Sequence, residues 1–280
     1  MKEFDDNTIK MLKKKSNTLR KTILEMLAEA GSGHPGGSLS PVEIVAALYY
    51  HVMQHDPEKP SWVQRDRFLL SKGHGAPLLY AVLADSGYFS KTELKTLRKI
   101  NSNLQGHPDM NKLPGIEITA GSLGIGLSMG VGMALGLKMD SIPRQVFVLL
   151  GDGEVQEGQI WEAAMTAAKY RLGNLVAILD RNGLQLDGPT ERIMPIEPIA
   201  MKFRAFNWHV IEIGGYDLRE ILEAFSEAES ITTRPSIIIA YTIKGKGIPY
   251  MEWATSFHGQ VPKREKLLKE LEEIYFTEEE

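Results

Sequence analysis

Short apolar runs alternate with segments of helical periodicity along most of the chain. "RFLLS" (67–71) precedes "APLLYAVLADSG"; "QVFVLL" (145–150) precedes an Ala-rich helical pattern, and "NLVAILD" (174–180) follows it. "WHVIEI" (208–213) leads into "DLREILEAFSEAES", and "PSIIIAYT" (235–242) comes after. Apolar runs without polar alternation read as strands buried on both faces, and helices between them predict βαβ units. The expected class is α/β, a doubly wound, mostly parallel sheet flanked by helices, in a single domain of residues 1–280. Ile9, Leu12, Leu19, Ile23, Met26 and Leu27 recur at helical spacing and predict an amphipathic N-terminal helix. At the other end, "KREKLLKELEEIYFTEEE" reads as a charged surface helix that frays.

Composition narrows the chemistry. A chain of 280 residues with 43% hydrophobic content can bury one large core. A net charge of −4 argues against nucleic acid or an anionic membrane as the main partner. The absence of cysteine excludes disulfides, Cys-ligated zinc and thiol catalysis. Charge runs through the N-terminal stretch, so no signal peptide is visible, and no segment is apolar enough to span a bilayer. The expected setting is the cytoplasm.

Ligands of open parallel sheets lie beyond the carboxyl ends of the strands. Asp152 stands there between Gly151 and Gly153, and Asn182 stands at the end of the next strand in "DRNGLQLDG". One right-handed crossover would make those strands neighbours, or nearly so, and bring the two side chains together. Both offer hard oxygen atoms, which suits a divalent cation that in turn holds a diphosphate. The flanking glycines allow a tight turn, and the helix expected next would present its N-terminus to the anion.

Four of the seven histidines sit beside glycine or in loop-like contexts: His34 in "GSGHPGGS", His74 in "SKGHGAP", His107 in "LQGHPDM" and His258 in "SFHGQ". They lack the short regular spacing of a zinc site. Imidazole can instead bond sugar hydroxyls and move protons near neutral pH. His51, His55 and His209 carry no motif and read as structural, as do Arg65, Asp66 and Arg67 in "QRDRFLLSKGHG". "ITAGSLGIGLSMGVGMALGLK" is a Gly-rich turn opening a helix, with Gly126, Gly130, Gly132 and Gly136 read as sites of close packing. Glu157 and Glu162 are five apart on the expected helix and do not share one face. Lys244 and Lys246 lie in a Gly-rich loop within reach of phosphate.

"GDG" followed by a helix, a strand and Asn is similar to the thiamine-diphosphate motif. "GDGEVQEGQIWEA", "KYRLGNLVAILDRN" and "LQLDG" resemble transketolase more closely, and the resemblance runs from "SGHPGG" to "FHG". It implies the PP-type thiamine-diphosphate-binding fold, with thiamine diphosphate and Mg²⁺ (or Ca²⁺) as cofactors. By that resemblance Asp152, Asn182 and the Leu184 carbonyl would hold the metal. Gly151 and Gly153 would line the diphosphate. Gly121 and Leu123 would approach the aminopyrimidine, and Leu186 would pack on the thiazolium. Lys244 matches a loop close to the cofactor. Glu157 and Glu162 match a carboxylate network at the subunit interface. His34, His74, His107 and His258 match the histidines of the sugar channel, with His258 and His34 implicated in proton transfers.

The resemblance covers only the N-terminal half of a full-length transketolase. The pyrimidine-binding and C-terminal domains would then lie on a separate chain. That chain would supply the glutamate at N1′, the stacking aromatics and the arginines for sugar phosphate. The expected activity is transfer of a two-carbon ketol unit from a ketose phosphate to an aldose phosphate, within an α2β2 assembly. Three alternatives stand: a 1-deoxyxylulose-5-phosphate synthase-like protein, the α chain of a 2-oxo acid dehydrogenase, and a non-catalytic regulatory subunit. The channel histidines weigh against the dehydrogenase.

Overall fold

A computed structural model describes residues 4–267 and 269. Its strands are β1 (Arg67–Leu70), β2 (Val146–Gly151), β3 (Leu175–Arg181), β4 (His209–Gly214) and β5 (Ser236–Tyr241). They form one sheet in the order β1-β2-β3-β5-β4, and every neighbouring pair is parallel. The mostly parallel sheet expected from the pattern is thus wholly parallel among these strands. The helices are α1 (Asp6–Ala30), α2 (Pro35–Leu39), α3 (Val42–Ala47), α4 (Ala76–Ser86), α5 (Ile125–Met139), α6 (Gly158–Lys169), α7 (Thr190–Ile193), α8 (Ile199–Ala205) and α9 (Leu218–Ser230).

Alternate side chains of the strands feed two separate cores. Phe68, Phe147, Ile178 and Ile238 join Leu19, Ile23, Val45, Leu79 and Phe225 under α1, α3, α4 and α9. Leu69, Val148, Ala177 and Ile237 join Leu127, Ala163 and Phe203 under α5, α6 and α8. Burial on both faces is why β2, β3 and most of β5 show no polar alternation, whereas the edge strand β4 alternates, with Glu212 exposed between Ile211 and Ile213. Local signals set the helix ends. Asp5 caps α1 by accepting from the Thr8 N–H at 2.6 Å, and Gly31 ends it at φ 61°. Asp217 caps α9 in the same way through the N–H of Arg219 and Glu220.

Several local expectations change. "HPGGS" read as loop, but Pro35 opens the short α2 directly after His34, a position that suits its fixed φ and missing N–H. The helix after Gly-Asp-Gly begins only at Gly158, behind a 3-10 turn over Glu154–Gln156, so no α-helix N-terminus abuts Asp152. Glu157 caps that helix at φ −68°, ψ 129°, and so lies outside it, while Glu162 lies on it. On α5, Gly126 and Gly130 do allow close packing: a Cβ would fall 2.2 Å from Ser71 Oγ and 2.5 Å from Val148 Cγ2 respectively. Gly132 and Gly136 face open space, so they pack against nothing among the described residues. Of the charged C-terminal segment only residues 263–267 and 269 are described, and of these 264–267 and 269 are helical. No helix of the described residues is long and apolar enough to cross a membrane.

Candidate active site

The carboxyl ends of β1, β2, β3 and β5 converge with α2 and the 107–124 segment on one edge of the sheet. Asp152 follows β2 directly and is 2% exposed. Its Oδ1 accepts from the Gly153 N–H at 2.8 Å. Its Oδ2 accepts from the Gly183 N–H at 2.6 Å and from Arg181 Nη1 at 3.3 Å. Asn182, 4% exposed, turns its Oδ1 onto the Leu184 N–H at 3.1 Å. The two strand-end loops therefore meet, as adjacent parallel strands require. Burial, then the neighbouring Asp180 carboxylate, push Asp152 up to about 6, against the pull of Arg181 and the two N–H groups. A carboxylate held this way favours a cation beside it.

The donor set fits a hard divalent ion. Asp152 is tied to the Asn182 loop through the Gly183 N–H, and a carboxylate, an amide oxygen and the Leu184 carbonyl are donors such an ion takes, with phosphate oxygens and water to complete an octahedron. Among the described residues no group of three His, Cys, Asp or Glu could hold a metal alone. The Leu184 carbonyl now accepts from Lys244 Nζ at 3.3 Å. Lys244 is 2% exposed, and burial, then Lys72, lower it to about 8. Lys246 turns away, pairing with Glu252 at 3.4 Å over the Tyr216 ring, so only the first of the two loop lysines joins the site.

The four singled-out histidines form one cluster. Ring centroids lie 5.6 Å apart for His34–His74, 6.1 Å for His34–His107, 5.6 Å for His34–His258 and 5.0 Å for His74–His258. Glycines create the room: a Cβ at Gly37 would sit 2.9 Å from His74 Cδ2, and one at Gly36 would sit 2.9 Å from Lys244 Cγ. Burial, then His107, bring His34 down to about 4, and burial, then Lys244, bring His258 to about 3. His74 is lowered well below its ordinary value by burial, then Lys72; His107 is lowered by burial, then Arg98. Lys244 Nζ lies 2.8 Å from His258 Nδ1. An ammonium can only donate there, so the neutral ring keeps its proton on Nε2. His34 Nδ1 is buried without a partner among the described residues.

Gly121 has φ 149° and lies against the His107 ring, where a Cβ would be 3.6 Å from Cγ. Leu123 follows in the same turn, half-buried, and Leu186 is 61% exposed beyond Asn182. Glu157 and Glu162 are exposed on the outer surface, away from Asp152's hydrogen bonds. Arg65, Asp66 and Arg67 are structural as expected: Asp66 accepts from the N–H of Gln54 and Gln145, and Arg65 pairs with Glu117 at 2.9 Å.

Sequence reasoning passed over three buried charges here. Glu154 accepts from the Ser71 hydroxyl, from the Gly124 N–H at 2.8 Å and from the Gly151 N–H at 3.0 Å, joining three loops of the site. Lys72 and Asp180 form an ion pair, 1% and 0% exposed. Each stands at the polar end of an apolar strand, and a charge at such a buried position needs a counter-charge. That requirement was the available signal.

An α/β domain with an oxygen donor pair and a histidine-lined mouth at its strand ends has the makings of a domain that binds a metal-linked anion. Residues 11–279 match the family described as transketolase, thiamine diphosphate binding domain. The chain is 47% identical over 247 residues to a 6-deoxy-6-sulfo-D-fructose transketolase subunit of Clostridium sp. (strain MSTE9), covering 88% of this chain and 90% of that one. It is 41% identical over 266 residues to an apulose-4-phosphate transketolase subunit of Phocaeicola vulgatus, covering 95% and 94%. The transketolase structure from Campylobacter jejuni superposes with a TM-score of 0.89 at 36% identity. That match covers 94% of this chain but 42% of the other, so the chain spans well under half of that solved enzyme. The chain belongs to the transketolase family, as its thiamine diphosphate binding domain.

Proposed function

We propose that this chain is the diphosphate-binding subunit of a two-chain transketolase. It transfers a two-carbon ketol unit from a ketose phosphate to an aldose phosphate when paired with a chain carrying the pyrimidine-binding and C-terminal domains. The observation that carries the reading is the joint between the strand-end loops. The Gly183 N–H on Asp152 Oδ2 at 2.6 Å sets Asn182 beside Asp152, on the edge where the four histidines meet. Subunit-named relatives of similar length support a separate partner chain. The same proposal includes an α2β2 assembly in the cytoplasm, with Glu157 and Glu162 facing its interface.

Asp152, Asn182 and the Leu184 carbonyl would hold Mg²⁺, or Ca²⁺ in its place, and the ion would hold the diphosphate. Gly151 and Gly153 let the backbone come close. The Leu184 carbonyl, which accepts from Lys244 Nζ at 3.3 Å, keeps a second lone pair that could serve the metal, and the Lys244 ammonium would offset the charge of the diphosphate. Gly121, Leu123 and Leu186 would contact the rings of the cofactor. Thiamine diphosphate, when bound, supplies the nucleophilic carbon and the electron sink for the carbon–carbon chemistry. His34, His74, His107 and His258 stay neutral at pH 7 and can donate to or accept from sugar hydroxyls. An arriving anionic sugar raises their proton affinity, which lets His258 and His34 take up and return protons. The relatives are named for a sulfo-sugar and for a sugar phosphate. A ketose with an anionic terminus is the proposed substrate class.

The test mixes the purified chain with its candidate partner, Mg²⁺ and thiamine diphosphate, and assays ketol transfer from a ketose phosphate to an aldose phosphate. Activity is expected only from the mixture. Full activity of this chain alone contradicts the half-site reading, and activity on 2-oxo acids in place of ketoses contradicts the reaction.

A further inference from the structure

Lys72 lies just beyond β1, yet its counter-charge lies on β3, with β2 between. Its stem passes Gly151 at the end of β2, where a Cβ would be 3.6 Å from Lys72 Cβ. Its ammonium then reaches Asp180, the residue in register with Gly151 on β3. Asp180 gathers further donors. Its Oδ2 also accepts from the Ser40 hydroxyl at 2.6 Å and from Asn182 Nδ2 at 3.2 Å, and its Oδ1 accepts from the Thr242 hydroxyl. Burial raises the carboxyl's proton affinity, but Lys72 and the two hydroxyls outweigh it and hold Asp180 ionised.

Three arms of this cluster stand two residues before a site residue: Lys72 before His74, Asp180 before Asn182, and Thr242 before Lys244. The fourth, Ser40, follows the α2 turn that opens at His34. Lys72, Asp180 and Ser40 are buried at 1%, 0% and 0% exposure, and their polar atoms are spent on one another. A buried ion pair is a poor source of stability, because apolar replacements of similar volume often serve as well. Its placement across Gly151 makes sense as a constraint on where the loops stand.

We propose that the Lys72–Asp180 clamp is the positioning device of the diphosphate site. It fixes Asn182, Lys244 and His74 relative to Asp152 and acts on ligand affinity rather than on the fold. The inference rests on reading this edge as the diphosphate site.

The test is isothermal titration of thiamine diphosphate with Mg²⁺ into the full chain, alongside urea denaturation of the ligand-free protein. The variants are Asp180→Asn, Lys72→Met and the apolar pair Lys72→Met with Asp180→Leu. Affinity is expected to fall about 10- to 100-fold in every folded variant, the size of effect seen when groups that orient metal ligands are lost. The apolar pair also strips the Ser40 and Thr242 hydroxyls of their acceptor, so its denaturation midpoint should fall below wild type but not below that of Lys72→Met, which leaves Asp180 charged, buried and unpaired. A folded variant binding within about twofold of wild type overturns the proposal. So does unfolding of all three, which would make the clamp structural. If neither the wild-type chain nor its assembly with the partner chain binds, the diphosphate-site reading itself is overturned, and the clamp's role with it.

Discussion

The two sets of histidines show what separates a working edge from a structural one. His209 bonds Glu227 at 2.7 Å, His55 bonds Tyr88 Oη at 3.0 Å and the Tyr49 carbonyl at 2.8 Å, and His51 packs edge-on to Phe4 at 5.6 Å. Each fills its surroundings with partners from the fold. The set at the strand ends does not. His34, His74, His107 and His258 lie mainly against one another and against Lys244, without a carboxylate partner among the described residues. Gathering neutral imidazoles beside an ammonium leaves hydrogen-bonding capacity unspent, which is useful only if a ligand takes it up.

Replacement of Asp152 by Asn breaks the working edge most severely. Thiamine diphosphate affinity in the presence of Mg²⁺ is expected to fall on the order of 100-fold, read by titration. In urea denaturation the ligand-free variant should lack wild type's loss of stability as pH rises from 3.8 to about 6. The sign follows from the carboxyl's position. Its native value is raised to about 6 from 3.8, so across that window the unfolded chain gives up a proton that the folded chain keeps, and stability falls as pH rises through it. Greater loss of stability in the variant would show that the carboxylate serves structure first.

Next in size, His258→Ala and His34→Ala in the assembled enzyme should lower kcat by about 100-fold, the usual scale of proton-transfer catalysis. Cofactor affinity should stay within about twofold of wild type. Parallel loss of affinity would erase the distinction between metal site and sugar channel.

The pH response separates the two histidine sets. His34 and His258 have native values near 4 and 3, below the ordinary 6.5. Between pH 6.5 and about 4 the unfolded chain takes up protons that the folded chain refuses, so their contribution to stability is lost as pH falls through that window. Thermal melts of His34→Gln should therefore lose less stability than wild type on acidification from pH 7 to 4.5. Asp152 acts with the opposite sign over part of that range, so the comparison is best repeated in the Asp152→Asn background. At the bottom of the scale, His209→Gln should cost less than about 1 kcal/mol, because its partner Glu227 is half-exposed, and should leave cofactor affinity unchanged.

The strands, the main helices and the order of the site loops were legible because double-sided burial writes long apolar runs into the sequence. "QVFVLL" and "NLVAILD" became β2 and β3 within a residue at each end, and their adjacency followed from one crossover. The histidine cluster was legible only in outline. Glycine marked the four members, but their approach to 5–6 Å depends on the folding of four distant segments. The clamp was missed because Lys72 sits inside a histidine motif and Asp180 ends an apolar run, and nothing local pairs residues 108 positions apart. Lys246 misled for a related reason: it shares the Gly-rich loop with Lys244, and only the fold gives it Glu252 as a partner.

The most direct measurement is a crystal structure of the chain soaked with thiamine diphosphate and Mn²⁺, read by the anomalous signal of the manganese. A single peak is expected roughly 2.1–2.3 Å from side-chain oxygens of both Asp152 and Asn182, with phosphate oxygens completing the coordination. A diphosphate bound at this edge through Lys244 and backbone N–H groups, with no metal peak between those two residues, would contradict the metal-linked site.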